Sequence, residues 1–200
     1  MRLPVLIALV ALPVSAWAAD PPAENLLPLA PGNTWTYRVF GQEDKFVVKV
    51  VRREMVGEHT AFVMEAKLRD RVVATEHVAL TKDGFCRVRA EKEDINPPVY
   101  FLKLPVPDRG TRWEQAYKLN GRDAQARFSV DTAETTVPFG KFKTVVVRGE
   151  IGTEGRWRQI TTVWYAPDVG IVKQTISEGK GPGPNPGLTL ELEKFDKGEK

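Results

Sequence analysis

Two histidines and one cysteine are the residues of this chain best suited to chemistry. His59 and His77 fall on neighbouring strand-like segments and Cys86 on the next, an order that would suit a His-His-Cys metal or redox site. The pattern argues against it. Zinc sites draw ligands from short, recurring Cys/His spacings, and none occurs here. His77 alternates with Val73 and Ala79, and Cys86 with Val88 and Ala90, so both are expected on apolar strand faces. A thiol in such a setting is expected to be buried and inert, the alternative being a reactive thiol or an intermolecular disulfide. The Gly-x-Ser-x-Gly elbow that presents a nucleophilic serine is missing. Gly149, Gly152 and Gly155 do not form a phosphate-cradling loop, and no helix follows to aim its N-terminus at an anion. Glu91, Glu93 and Asp94 around Lys92 read as a solvated strand end. The sequence therefore assigns no catalytic residue, no metal ligand and no cofactor.

The aromatic residues are more informative. Trp35, Tyr37, Trp113, Tyr117, Trp157, Trp164 and Tyr165 are many large rings for a small domain. Rings of this kind bury much apolar area and commonly belong to a core. A strongly curved sheet would instead leave some of them around a concave apolar pocket. The expected pocket residues are Trp35, Tyr37, Tyr100, Phe101, Trp113, Tyr117 and Trp164. The irregular Asp94 to Gly110 segment is the expected lid, because long irregular segments are where binding surfaces tend to sit.

The elements that would position these rings are strands. Trp35, Tyr37 and Val39 alternate with Thr34, Thr36 and Arg38, and the same two-residue period returns at Phe46, Phe62, Val72, Phe85, Trp113, Ala124, Thr144, Trp157, Ile171 and Leu188. Turn signals separate the runs. Lys82-Asp83-Gly84 and Asn120-Gly121 favour hairpins, and Pro167-Asp168-Val169-Gly170 divides two arms rich in β-branched and aromatic residues. Asp94 to Pro98 and Leu104 to Gly110 are expected outside the sheet, because proline cannot donate to a ladder. The expectation is a mainly β chain: one antiparallel meander of about eleven strands, curled into an open half-barrel or barrel, with little helix.

The first 18 residues read as a secretory leader. Met1 and Arg2 precede the apolar run Leu3 to Val14, and Ala16 and Ala18 supply the small residues of a cleavage site. The run is short for a bilayer span and is interrupted by Pro4 and Pro13. No cysteine follows the cut, which argues against a lipid-anchored N-terminus. Ala19 to Lys200 is then a single β domain, with 19–28 as lead-in and 194–200 as polar tail. The expected compartment is periplasmic or extracellular, with no span of the membrane after cleavage. One cysteine forbids an internal disulfide, so stability must come from packing and strand pairing. The whole chain has 29 basic and 26 acidic residues, a formal charge of +3, of which the leader holds Arg2 alone. Near-neutrality without a basic stripe makes nucleic acid a poor partner.

Three clusters resemble a known group. Leu27-Pro28-Leu29 with Gly32, Trp35 and Tyr37 is the first. Val137-Pro138 with Gly140, Phe142, Thr144 and Val145 is the second, and Trp164-Tyr165-Ala166-Pro167 with Val169-Gly170 and Val172-Lys173 the third. Together they are similar to uncharacterised exported bacterial β-proteins related to the lipoprotein-carrier (LolA/LolB-type) half-barrel. That resemblance implies an antiparallel sheet curved around an apolar cavity plugged by helices, and no defined catalytic residue. The functional expectation is an exported, non-enzymatic binding or carrier module for an apolar ligand or lipidated partner. The alternative is a structural or interaction component of the cell envelope with a filled core.

Overall fold

Each alternating run forms a strand, and each turn signal reverses the chain. The computed structural model describes residues 26–153, 156–179 and 187–198. The expected leader, residues 1–18, lies outside the described residues, as does the side chain of Trp157. Twelve strands follow in order: β1 (Thr34–Val39), β2 (Lys45–Val56), β3 (His59–Leu68), β4 (Arg71–Thr81), β5 (Gly84–Ala90) and β6 (Glu93–Lys103), then β7 (Arg112–Leu119), β8 (Arg122–Val137), β9 (Gly140–Thr153), β10 (Arg156–Ala166), β11 (Gly170–Gly179) and β12 (Leu188–Asp196). The described residues contain no α-helix.

Every strand pairs antiparallel with its sequence neighbours, and β12 returns to β1, so the meander closes. The seam runs six pairs, from Thr34 opposite Asp196 to Val39 opposite Leu190. Closure satisfies the backbone groups that two free edges would leave unpaired. The half-barrel implied by the carrier resemblance is thus corrected to a closed barrel, and no helix plugs it among the described residues. Asn120 (φ 52°) and Gly121 (φ 70°) both take the left-handed conformation that their hairpin turn requires.

The strand missed by the sequence is β6, which carries Pro97 and Pro98. It is admitted because it is poorly laddered there. Its register with β5 slips twice, around Phe85–Cys86 and Arg87–Arg89. On its other side it meets β7 only at Ile95–Leu119 and Asn96–Lys118. The absent proline N–H groups fall where the ladder is already broken. Val99 to Leu102 also belong to this strand, so the expected lid is wall. Val99 and Leu102 are buried in the core. The loop that follows, 104–111, packs Leu104 and Val106 onto the same core. It is tied down by Leu104 N–H to the Asp83 carbonyl (3.0 Å) and Gly110 N–H to the Val130 carbonyl (2.9 Å).

The barrel is dense at one end. There β1 starts, β10 turns into β11, and Leu26 and Leu27 fold in beneath Trp35, all three at most 3% exposed. Trp35 Nε1 donates to the Val169 carbonyl (2.6 Å), and the Tyr37 hydroxyl donates to the Ile171 carbonyl (2.9 Å). Both bonds reach past β12 to hold β1 against the β10–β11 hairpin. Trp35 also stacks on Phe195, with ring centroids 5.1 Å apart. A Cβ on Gly170 (φ 93°) would press at 3.2 Å on both Pro28 and the Trp35 indole, so this close approach needs glycine. Asn33 ties the surrounding chain together, giving its Nδ2–H to the Pro28 carbonyl (2.7 Å) and accepting from the Gly198 N–H (2.8 Å). The Leu-Pro, Trp, Tyr and Val-Gly residues that carry the resemblance are therefore the plug of one barrel end.

Candidate functional site

A barrel of about eight strands has an interior that side chains just fill. With twelve, the inward residues cannot all meet, and the space left between them is the candidate site. Alternation decides what faces it. Across β3 to β6, the row Phe62–Val78–Arg87–Val99 points inward, and the adjacent row Ala61–Ala79–Cys86–Tyr100 points outward. The inward rows enclose a cavity of about 330 Å³, within the range of about 300–1,000 Å³ usual for small-molecule sites.

The cavity runs from the plug toward the far end of the barrel. Leu27, Trp35, Tyr165 and Ile171 line its plugged end. Phe46, Ala66, Ala74, Ile151, Gln159 and Ile176 line the other. The wall at this second end is only half-buried: Phe46 and Val48 on β2 are partly exposed, whereas Val50 farther along is fully buried. The lumen therefore opens at the end away from Trp35. From Tyr165 to Gln159 on β10 is six residues, about 20 Å of strand; a strand tilt of about 40° makes that about 15 Å along the barrel axis.

Most of the wall is aliphatic or aromatic. Only Glu76 on β4 and Arg87 on β5 carry charge among the described lining residues. Arg87 Nη2 reaches both carboxylate oxygens of Glu76 at 2.9 Å. Its Nε is buried and has no hydrogen-bond partner. The Glu76 carboxylate holds the guanidinium above its ordinary pKa, so Arg87 is charged at neutral pH. Burial pushes the Tyr37 and Tyr165 hydroxyls far above the usual tyrosine range, and Tyr117 upward as well, with Arg87 opposing the shift at Tyr165 and Tyr117. These hydroxyls therefore stay protonated and can donate. No Ser, Cys or His side chain is among the described lining residues. The lumen offers apolar contact and a small set of hydrogen bonds.

The structure gathers three of the seven expected pocket residues into this wall: Trp35, Tyr37 and Phe101. Trp113 and Tyr117 lie in the core beside it. Trp113 donates to the Tyr100 carbonyl (3.0 Å) and stacks on Phe128, with centroids 5.2 Å apart. Tyr100 points outward, packs on the small cluster around Ala79 and Cys86, and accepts from the Thr81 hydroxyl (3.3 Å). Trp164 pairs with Lys173, whose ammonium stands 5.7 Å over its ring, and the neighbouring Tyr165 takes the lumen. Successive residues face opposite ways, so only one of Trp164 and Tyr165 can point in.

Glu76 and Arg87 were missed by the sequence reading. Glu76 interrupts the face Ala74, Val78 and Leu80, a signal that was legible. Arg87 had none, because both faces of β5 are covered: Phe85 belongs to the main core, and Cys86 and Val88 to the outer cluster. His77 lies on the outer face near Cys86, but its Nε2 bonds Glu54 Oε1 at 2.9 Å. His59 lies 3.9 Å from Glu58. Among the described residues no three His, Cys, Asp or Glu side chains converge as metal ligands would.

No family model and no curated protein matches the chain. Two crystal structures are similar to it. A candidate lipoprotein from Parabacteroides distasonis aligns with a TM-score of 0.51 at 12% identity, over 86% of this chain and 98% of that one. A candidate exported protein with a YmcC-like fold from Bacteroides fragilis aligns with a TM-score of 0.47 at 14% identity, over 86% and 99%. At such identity the first likeness speaks to the fold.

Proposed function

We propose that this chain is exported and, with residues 1–18 removed, serves as a non-enzymatic binding module of the cell envelope whose barrel holds an apolar ligand. The observation that carries the reading is the apolar lumen, plugged at Trp35 and open at the far end. The outside of the wall supports it. Arg38–Glu191 (2.7 Å), Lys173–Glu191 (3.0 Å), Arg148–Glu150 (2.7 Å) and Lys141–Glu134 (2.8 Å) are ion pairs on exposed or half-exposed strand faces. Apolar inside and charged outside is the reverse of a bilayer-spanning barrel, which turns its apolar band to lipid. A water-soluble container is the form that fits this polarity.

The test is titration of the leaderless chain with 1-N-phenylnaphthylamine, whose emission rises in apolar surroundings. Saturable binding of one probe per chain is expected, with displacement by an unlabelled 12-carbon amphiphile. A folded, β-rich protein that gives no saturable signal would sink the reading. N-terminal sequencing of protein recovered from the envelope is expected to begin at Ala19.

A further inference from the structure

Taking the binding role above as its premise, we infer that the Glu76–Arg87 pair selects the ligand's head: an uncharged, hydrogen-bonding group on a single-chain amphiphile, of the monoacylglycerol type, whose chain occupies the apolar remainder of the lumen. The two residues come from adjacent strands and point into the cavity. The Glu76 and Arg87 side chains are 40% and 29% exposed, although both lie inside the barrel. What they are exposed to is the lumen. A pair built only to hold strands together would be wrapped by neighbours, since well-packed apolar residues stabilise at least as well as a buried ion pair.

The unmet hydrogen-bonding capacity points the same way. Arg87 places one nitrogen on Glu76 and leaves Nε buried without an acceptor. Its Nη1 makes no hydrogen bond with a described residue, and a ligand carbonyl in the lumen can accept from the guanidinium there. The hydroxyls of Tyr165, in the lumen wall, and of Tyr117, in the core beside it, both feel the Arg87 charge. Neither hydroxyl makes a hydrogen bond with another group among the described residues. Arg87 and Tyr165 are therefore donors in the lumen wall, and Glu76 is its charged acceptor.

Charge balance decides the head. Glu76 and Arg87 already neutralise each other. A carboxylate head would meet Glu76, and an ammonium head would meet Arg87, each at short range in a poorly solvated space. An ester or amide carbonyl beside a hydroxyl meets neither penalty: the carbonyl accepts from Arg87, and the hydroxyl donates to Glu76. Tyr165 lies at the plugged end, so the head sits deep and the chain extends toward Phe46, Ile151 and Ile176. The lumen's length of about 15 Å along the axis suits a medium-length chain.

The experiment is competition against 1-N-phenylnaphthylamine with three 12-carbon ligands at pH 7.5: 1-monolauroylglycerol, laurate and dodecylamine. Wild-type protein is expected to prefer monolauroylglycerol over each charged ligand by about tenfold or more. The double variant Glu76→Leu/Arg87→Met leaves no charge unpaired and is expected to lose that preference, with each competition referred to the variant's own affinity for the probe. Arg87→Lys keeps the charge but removes the guanidinium fork, and is expected to lose most of the preference even if the double variant fails to fold. A wild-type protein that binds the probe without discriminating, or that prefers laurate or dodecylamine, overturns the inference and leaves the binding role standing. Failure to bind the probe at all removes the binding role itself. Variants that retain the preference show that another group reads the head, which also overturns the inference.

Discussion

If the lumen is hollow, a small overpacking of its wall is cheap, and Gly149→Ala measures this. Gly149 sits on β9 between Phe128 on β8 and Thr161 on β10. It lines the cavity, and its φ lies outside the left-handed region, so alanine meets no backbone strain. A Cβ there would lie 2.9 Å from Phe128 Cε1 and 3.1 Å from Cδ1. That is too close, so the Phe128 ring must move. It stacks on Trp113 from the side and is 6% exposed, with the cavity as the space open to it.

The magnitudes nearly cancel. Losing the aromatic stack costs about 0.5–1.5 kcal/mol, and an off-rotamer ring about as much again. Against this, alanine for glycine gains about 0.4–1 kcal/mol through the unfolded chain, and the added methyl buries surface worth about 0.8 kcal/mol. Urea unfolding followed by tryptophan fluorescence is therefore expected to place Gly149→Ala within about 1 kcal/mol of the wild type, at unchanged m-value. The displaced ring also occupies ligand space, so the apolar probe is expected to bind several-fold more weakly. In a filled barrel the ring has nowhere to go, and overpacking adds about 1–3 kcal/mol. A loss above about 2 kcal/mol would refute the hollow lumen.

Two further expectations come from the outer face. Burial pushes the Cys86 thiol up to about 11, with contacts to Tyr100 and Ala79 pulling slightly the other way. At pH 8 its thiolate fraction is on the order of one in a thousand, so the native protein is expected to resist a disulfide-exchange reagent that reacts stoichiometrically in urea; rapid native labelling would show that the outer cluster opens. The Arg38 hydrogen bond, followed by that of Lys173, holds the Glu191 carboxyl below its usual range. A depressed folded pKa stabilises above the unfolded value, and the contribution is lost as pH falls through the folded one. Glu191→Gln is therefore expected to be less stable than wild type by up to about 1 kcal/mol at pH 7. The two should converge only well below the ordinary carboxylate value of about 4.3; a gap that persists at pH 2 would place its origin elsewhere.

The strands were legible because half-buried β-structure writes its period directly into the side chains, and Asn120-Gly121 and Asp168-Gly170 marked reversals through backbone conformation alone. What failed was parity at single positions. On β10 the alternation runs unbroken through Gln159, Thr161, Val163 and Tyr165, so Tyr165 enters the lumen and Trp164 does not, while the register slip against β11 falls on Val172. On β5 the alternation was real, but both faces are covered, so the apolar Cys86–Val88 face looked inward while Phe85 and Arg87 were the inward pair. Closure was invisible for another reason. The seam joins residues far apart in sequence, such as Arg38 and Glu191, separated by 153 positions. Nothing local in either strand announces its partner, and the difference between a half-barrel and a barrel is that one pairing.

A closed wall of twelve strands also carries an energetic consequence. An empty apolar cavity costs about 24 cal/mol per Å³, so 330 Å³ kept dry would cost about 8 kcal/mol, a large part of the 5–15 kcal/mol by which domains are usually stable. The fold avoids that cost only if something occupies the space. Water can enter from the half-buried end, and it finds hydrogen-bond partners at Glu76 and Arg87 but few along the aliphatic wall. Water held against such a wall gains by leaving it. The sequence could have removed the problem with larger side chains at Ala66, Ala74 and Gly149, all of which line the lumen. Three small residues face an unfilled space while the opposite end is plugged by Leu26, Leu27 and Trp35, which is what the proposed binding role requires. Enlarging them together, as Ala66→Leu/Ala74→Leu/Gly149→Ala, should therefore raise stability while abolishing probe binding. A variant that loses stability and still binds would show that the small residues serve the strands and not the space.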